Sequence, residues 1–139
     1  AVLNDLKIKT AQNLMKKEKW KFNFSPDTLH YFILIAPKGG FSINKAKNNV
    51  ADFNSVNFSD LKLKVSNTFL NTSDQMIIVK SFSNSKKALD YFLAFKVNNG
   101  SIKSYRKEKF FVVTPQNLKE LYLEKNTDNY LKFFKEFYQ

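Results

Sequence analysis

Any chemistry in this chain has to come from twelve carboxylates, one histidine and a basic surface. Cysteine is absent, which excludes thiolate nucleophiles, disulfides and Cys-ligated zinc together and leaves the redox compartment open. A lone histidine, His30, cannot build a His cluster for a metal. Three glycines are too few for a phosphate-cradling loop, which needs glycine at several fixed offsets. The carboxylates, from Asp5 to Glu136, fall on positions that read as helix polar faces, caps and turns. None stands inside an apolar run, where burial would raise its pKa towards that of a general acid. A Ser/His/acid triad would have to use His30, at the start of an apolar run, with no G-x-S-x-G turn elsewhere. A histidine there is expected to bond to backbone. No catalytic residue, metal site or cofactor is expected.

The candidate binding residues are Lys103, Arg106, Lys107 and Lys109 around Tyr105. Such a cluster could hold an anionic partner, a glycan or an acidic protein surface; the plainer reading is a solvated loop. The net charge is +11 with a pI near 9.7. Yet 22 of the 23 basic residues are Lys and only Arg106 is Arg. That weakens a nucleic-acid reading, because recognition there favours the bidentate guanidinium fork. Sixteen Asn and 15 Phe beside those Lys look like the codon bias of an AT-rich genome. The excess charge lies on residues 31–115, with thirteen basic and five acidic side chains.

The elements that must position these residues follow from periodicity. Leu3, Leu6, Ala11, Leu14 and Met15 predict a lead-in helix over residues 1–22, followed by a linker, so that residues 1–28 precede a folded domain of residues 29–139. Tyr31–Ala36 is a continuous apolar run and predicts a central strand buried on both faces. Ser42 then caps a helix with Ile43, Ala46, Val50 and Phe53 on one side. Residues 61–69 alternate Leu61, Leu63, Val65 and Phe69 with polar residues, predicting an edge strand whose Lys62 and Lys64 discourage aggregation. Residues 71–74 form a turn, and Met76–Val79 with Phe82 a second central strand. Asn84 or Ser85 caps a helix with Ala88, Tyr91, Phe92 and Phe95 facing the core. Residues 101–109 form a basic loop, Phe110–Val113 a fourth strand, and residues 116–139 a broken helix whose terminal aromatics need a surface to cover.

The order β, α, β, β, α, β predicts an α+β, ferredoxin-like sandwich with strands one and three central and both crossover helices on one face. The other face is left to solvent, a ligand or the terminal helix. The RNA-recognition fold shares this order and stacks bases on aromatics of strands one and three. Tyr31 or Phe32 could serve on strand one, but Met76–Phe82 lacks the glycine and paired aromatics of such a platform, so nucleic acid is not expected as a partner. With no basic leader before an apolar stretch and no 18-residue apolar run, neither a signal peptide nor a membrane-spanning helix is expected within these residues. The start at Ala1 suggests a processed chain or an excised domain.

Residues 25–35 (SPDTLHYFILI), with Ala51–Asn54, Ile78–Phe82 and Asn129–Tyr138, resemble the C-terminal domain that follows tetratricopeptide repeats in outer-membrane lipoproteins of Bacteroidetes, of the gliding-motility and type IX secretion kind (SprE/PorW-like). The resemblance covers about residues 25–139. It implies a non-catalytic protein-interaction scaffold on the periplasmic side of the envelope, associated with the outer membrane through an anchor elsewhere, with other protein subunits of an envelope assembly as partners. Val79–Asn84 and Ala88 are also similar to the strand-to-helix turn of the sporulation-related repeat fold, which binds peptidoglycan glycan strands on its sheet; Lys80 stands where that turn has its usual glycine. This second likeness implies a glycan-binding module instead.

Overall fold

The computed structural model describes residues 20–39 and 42–139. The lead-in helix expected from residue 1 therefore lies outside the described residues as far as residue 19, and residues 20–22 are not helical. Four strands, β1 (His30–Pro37), β2 (Lys64–Phe69), β3 (Asp74–Phe82) and β4 (Phe110–Val113), alternate with α1 (Ile43–Asn57) and α2 (Ser85–Val97). Helices α3 (Pro115–Glu124) and α4 (Asp128–Tyr138) close the chain.

Local chemistry sets the ends of these elements. Ser42 Oγ accepts from Lys45 N at 3.3 Å and Asn84 Oδ1 from Lys87 N at 2.9 Å, each an N-cap satisfying a donor the helix leaves open. Thr114 caps α3 in the same way, with Pro115 in the first turn, where its missing N–H costs nothing. In the β2–β3 turn, Asn71 Oδ1 accepts from Ser73 N and Asp74 N, both at 2.8 Å.

The sheet runs β2-β3-β1-β4 with every neighbouring pair antiparallel, the order expected for a ferredoxin-like sandwich. Phe32 stands between Val79 and Val112, and Leu34 between Ile77 and Phe110, so these side chains share one face. Helices α1 and α2 cover it: the Phe32 ring lies 4.8 Å from Tyr91 and 5.0 Å from Phe95, and Phe53 of α1 lies 5.4 Å from Tyr91. The alternate set, Ile33, Ile35, Met76, Ile78 and Phe111, is buried too. Its cover comes from the C-terminal half. Phe111 meets Tyr130 of α4 at 5.1 Å, Leu121 of α3 is fully buried, and α3 ends at the β2–β3 turn, where Asn71 Nδ2 donates to the Lys125 carbonyl at 2.8 Å. Residues 20–24 join this layer. Phe22 packs edge-on against Tyr130 at 5.0 Å, Phe24 stacks on Phe137 at 5.5 Å, and Asn117 holds Asn23 by both its backbone groups at 3.0 and 2.7 Å.

β2 departs from the alternation read from the sequence. It spans six residues rather than nine, because Ser59–Leu61 make a 3₁₀ turn and Lys62 adopts the left-handed conformation (φ 49°), which breaks the period of two. Leu61 is outside the strand, and Phe69, expected on the buried side, is 58% exposed at the end of the ladder opposite Gln75.

Candidate functional site

The basic loop begins where α2 runs out. Asn98 ends the helix, and its Oδ1 accepts from Gly100 N at 2.7 Å; a side chain at Gly100 would bring its Cβ within 3.1 Å of that oxygen. Successive turns follow, with Lys103 N donating to Gly100 O, Tyr105 N to Ile102 O and Glu108 N to Tyr105 O at 3.0–3.1 Å. Two apolar side chains pin the loop to the body: Ile102 is fully buried, and Tyr105 is buried with its hydroxyl accepting from Asn49 Nδ2 of α1 at 2.8 Å. A loop held at two points presents its remaining side chains on a defined surface.

The five residues singled out by charge and aromaticity are thus placed differently. Lys103 and Lys107 are exposed and line one groove of about 500 Å³ with Gly100, Ser101 and Ser104. Arg106 is half-buried, and Tyr105 faces the core. Lys109 turns to Asp128 of α4 at 3.7 Å; with both side chains more than half exposed, that ion pair is worth little. Ser101 and Ser104 were not singled out in the sequence, where serine beside lysine is too common a neighbour to signal a groove.

Three polar contacts, one buried and two partly so, could not be foreseen from spacing, since their partners lie 108, 94 and 37 residues apart. Asn117 with Asn23 is one, and Asn54 with Tyr91 another. The third is His30, whose ring bonds to the Thr28 carbonyl through Nδ1 at 2.7 Å, as expected of a strand-start histidine, and to Tyr138 Oη through Nε2 at 2.8 Å. A carbonyl only accepts, so Nδ1 carries the proton and neutral His30 accepts from the Tyr138 hydroxyl. Burial holds the His30 pKa below its usual 6.5, the Thr28 carbonyl opposing this in part, and burial pushes the Tyr138 phenol up to about 12.

A histidine harder to protonate when folded makes the unfolded chain the stronger proton binder between the folded pKa and 6.5. Its contribution is therefore complete above pH 6.5 and is lost as pH falls through the folded value. Urea denaturation at pH 7.5 and pH 5.5 should show lower stability at the acid pH, a difference that His30→Gln reduces. Equal dependence in both proteins would assign it to other groups.

Among the described residues no Asp or Glu is buried, and no three His, Asp or Glu side chains gather as metal ligands would. No described helix is long and apolar enough to cross a membrane. No protein-family model matches this chain, and neither a curated protein nor a solved structure matches it significantly.

Proposed function

We propose that this chain is a non-catalytic protein-interaction module of a cell-envelope assembly, and that its basic loop receives an acidic surface of a partner subunit. The carrying observation is the loop itself: Ile102 and Tyr105 anchor it, while Lys103 and Lys107, which make no ion pair among the described residues, stand around a groove edged by hydroxyls. An anchored pair of lysines loses less conformational freedom on meeting carboxylates than a mobile one, and complementary charge speeds encounter. The resemblance of residues 25–139 to the C-terminal domains of secretion and gliding lipoproteins supports an address on the periplasmic side of the outer membrane. Burial of both sheet faces counts against the glycan-binding and RNA-binding readings, because each would use an open face.

A photo-crosslinking residue at Ser104 of the full-length protein, in its own cells, tests this. The expected result is one predominant crosslinked envelope protein, reduced at least tenfold by Lys103→Glu with Lys107→Glu. Salt-resistant cosedimentation of the purified chain with peptidoglycan sacculi, or a crosslink indifferent to the double charge reversal, would overturn it.

A further inference from the structure

Among the described residues the sheet has one outer backbone carbonyl capped on β4 and no outer backbone group capped on β2. On β4 the Lys109 carbonyl accepts from Ile35 N at 2.8 Å, so the backbone of Val112 turns outward by alternation. There its carbonyl is taken by Tyr130 Oη at 2.7 Å, under α4. On β2, six residues pair with β3 without a register shift, and no described residue hydrogen-bonds to the outer backbone groups.

At the start of that open edge, α1 and the connector after it enclose a groove of about 200 Å³, lined by Ala51, Asn54, Ser55, Phe58, Lys62 and Leu63. Asn54 is 5% exposed; its Oδ1 is occupied by the Tyr91 hydroxyl, while its Nδ2 is buried without an acceptor among the described residues. A buried donor in that state calls for a carbonyl or carboxylate oxygen. Lys62 and Lys64 stand at the same end, with Lys64 opposite Lys80 across the ladder, a like-charge pair that an incoming anion would relieve. Phe69 offers an exposed ring at the other end.

Charge selects the occupant. A second copy would bring another Lys62 and Lys64, and no carboxylate of β2, to an edge already basic, and residues 1–19 of this chain carry five Lys against Asp5 and Glu18. We infer that β2 is a docking edge for an extended acidic segment of another protein, which adds as a fifth strand, places a carboxylate at the Lys62 end and lays an apolar residue on Phe69. This surface is separate from the basic loop and does not depend on it.

A short synthetic peptide alternating Val and Thr with Glu, and the same peptide with Lys for Glu, are the probes. Titrated into the isotope-labelled chain, the acidic peptide should shift the backbone amide signals of residues 62–69 and the Asn54 side-chain amide, and slow hydrogen exchange along β2. The Lys peptide should bind at least tenfold more weakly, and Lys62→Glu with Lys64→Glu should reverse that order. No shift at millimolar acidic peptide, equal binding of both peptides, or indifference to the charge reversal would overturn the inference. Shifts confined to residues 101–109 would also overturn it while favouring the loop as the interaction site.

Discussion

Replacing Phe133 by alanine is expected to lower the unfolding free energy by about 3–5 kcal/mol, the range for emptying a buried aromatic site. The Phe133 side chain is 1% exposed and is the hub of the C-terminal layer. Its ring lies 4.6 Å from Phe137, 5.6 Å from both Tyr130 and Phe22, and 5.7 Å from Trp20. Truncation leaves a cavity between α4 and residues 20–22 that two elements would have to move together to fill. A domain of this size has about 5–15 kcal/mol of stability in total, so the substitution should shift the urea midpoint strongly with little change in slope. Leu123→Ala, at a side chain 66% exposed on α3, is the control and should stay within about 0.5 kcal/mol. A loss below about 1 kcal/mol at Phe133 would mean that α4 is not integral to the cooperative unit.

The second large effect is at Tyr91. Its hydroxyl donates to Asn54 Oδ1 at 2.5 Å inside the core, where burial raises the phenol pKa well above its ordinary value. Tyr91→Phe keeps the ring contacts with Phe32, Phe53, Phe58 and Phe82 but leaves the Asn54 amide without a side-chain partner among the described residues. The expected cost is about 1–3 kcal/mol, the desolvation of a buried polar group deprived of its bond. Adding Asn54→Leu should recover most of it, since removing both partners of a buried hydrogen bond is nearly neutral when the shape is kept. A denaturation double-mutant cycle reads this directly; simple additivity of the two losses would show that the bond is not what couples these residues.

Much of the fold was legible in the chain because it rests on short-range rules. The apolar run Tyr31–Ala36 announced a strand buried on both faces, and Ala88, Tyr91, Phe92 and Phe95 announced the inner face of α2, each a one-dimensional pattern that burial must respect. Ser42 marked one helix start and Asn84 or Ser85 another, because a cap acts within three residues, and the structure puts the second cap at Asn84. β2 was legible only in part. One left-handed residue, Lys62, resets the alternation, and nothing in a lysine side chain announces that conformation.

Of the candidate site, the chain showed where positive charge is dense but not which of those residues share a surface. Tyr105 reads as an exposed aromatic among lysines until Asn49, on a different helix, is found at its hydroxyl. Lys109 reads as a member of the loop until Asp128 draws it away. The amino-acid sequence by itself determined the elements, their order and the helix caps, because these follow from period, propensity and hydrogen bonds a few residues long. The tertiary structure alone decided that the second sheet face is closed, that His30 meets Tyr138, that Asn54 keeps a donor unanswered among the described residues and that Tyr130 takes the Val112 carbonyl on the β4 edge. Those outcomes depend on contacts between residues distant in the chain, and the chain carries no periodicity for them.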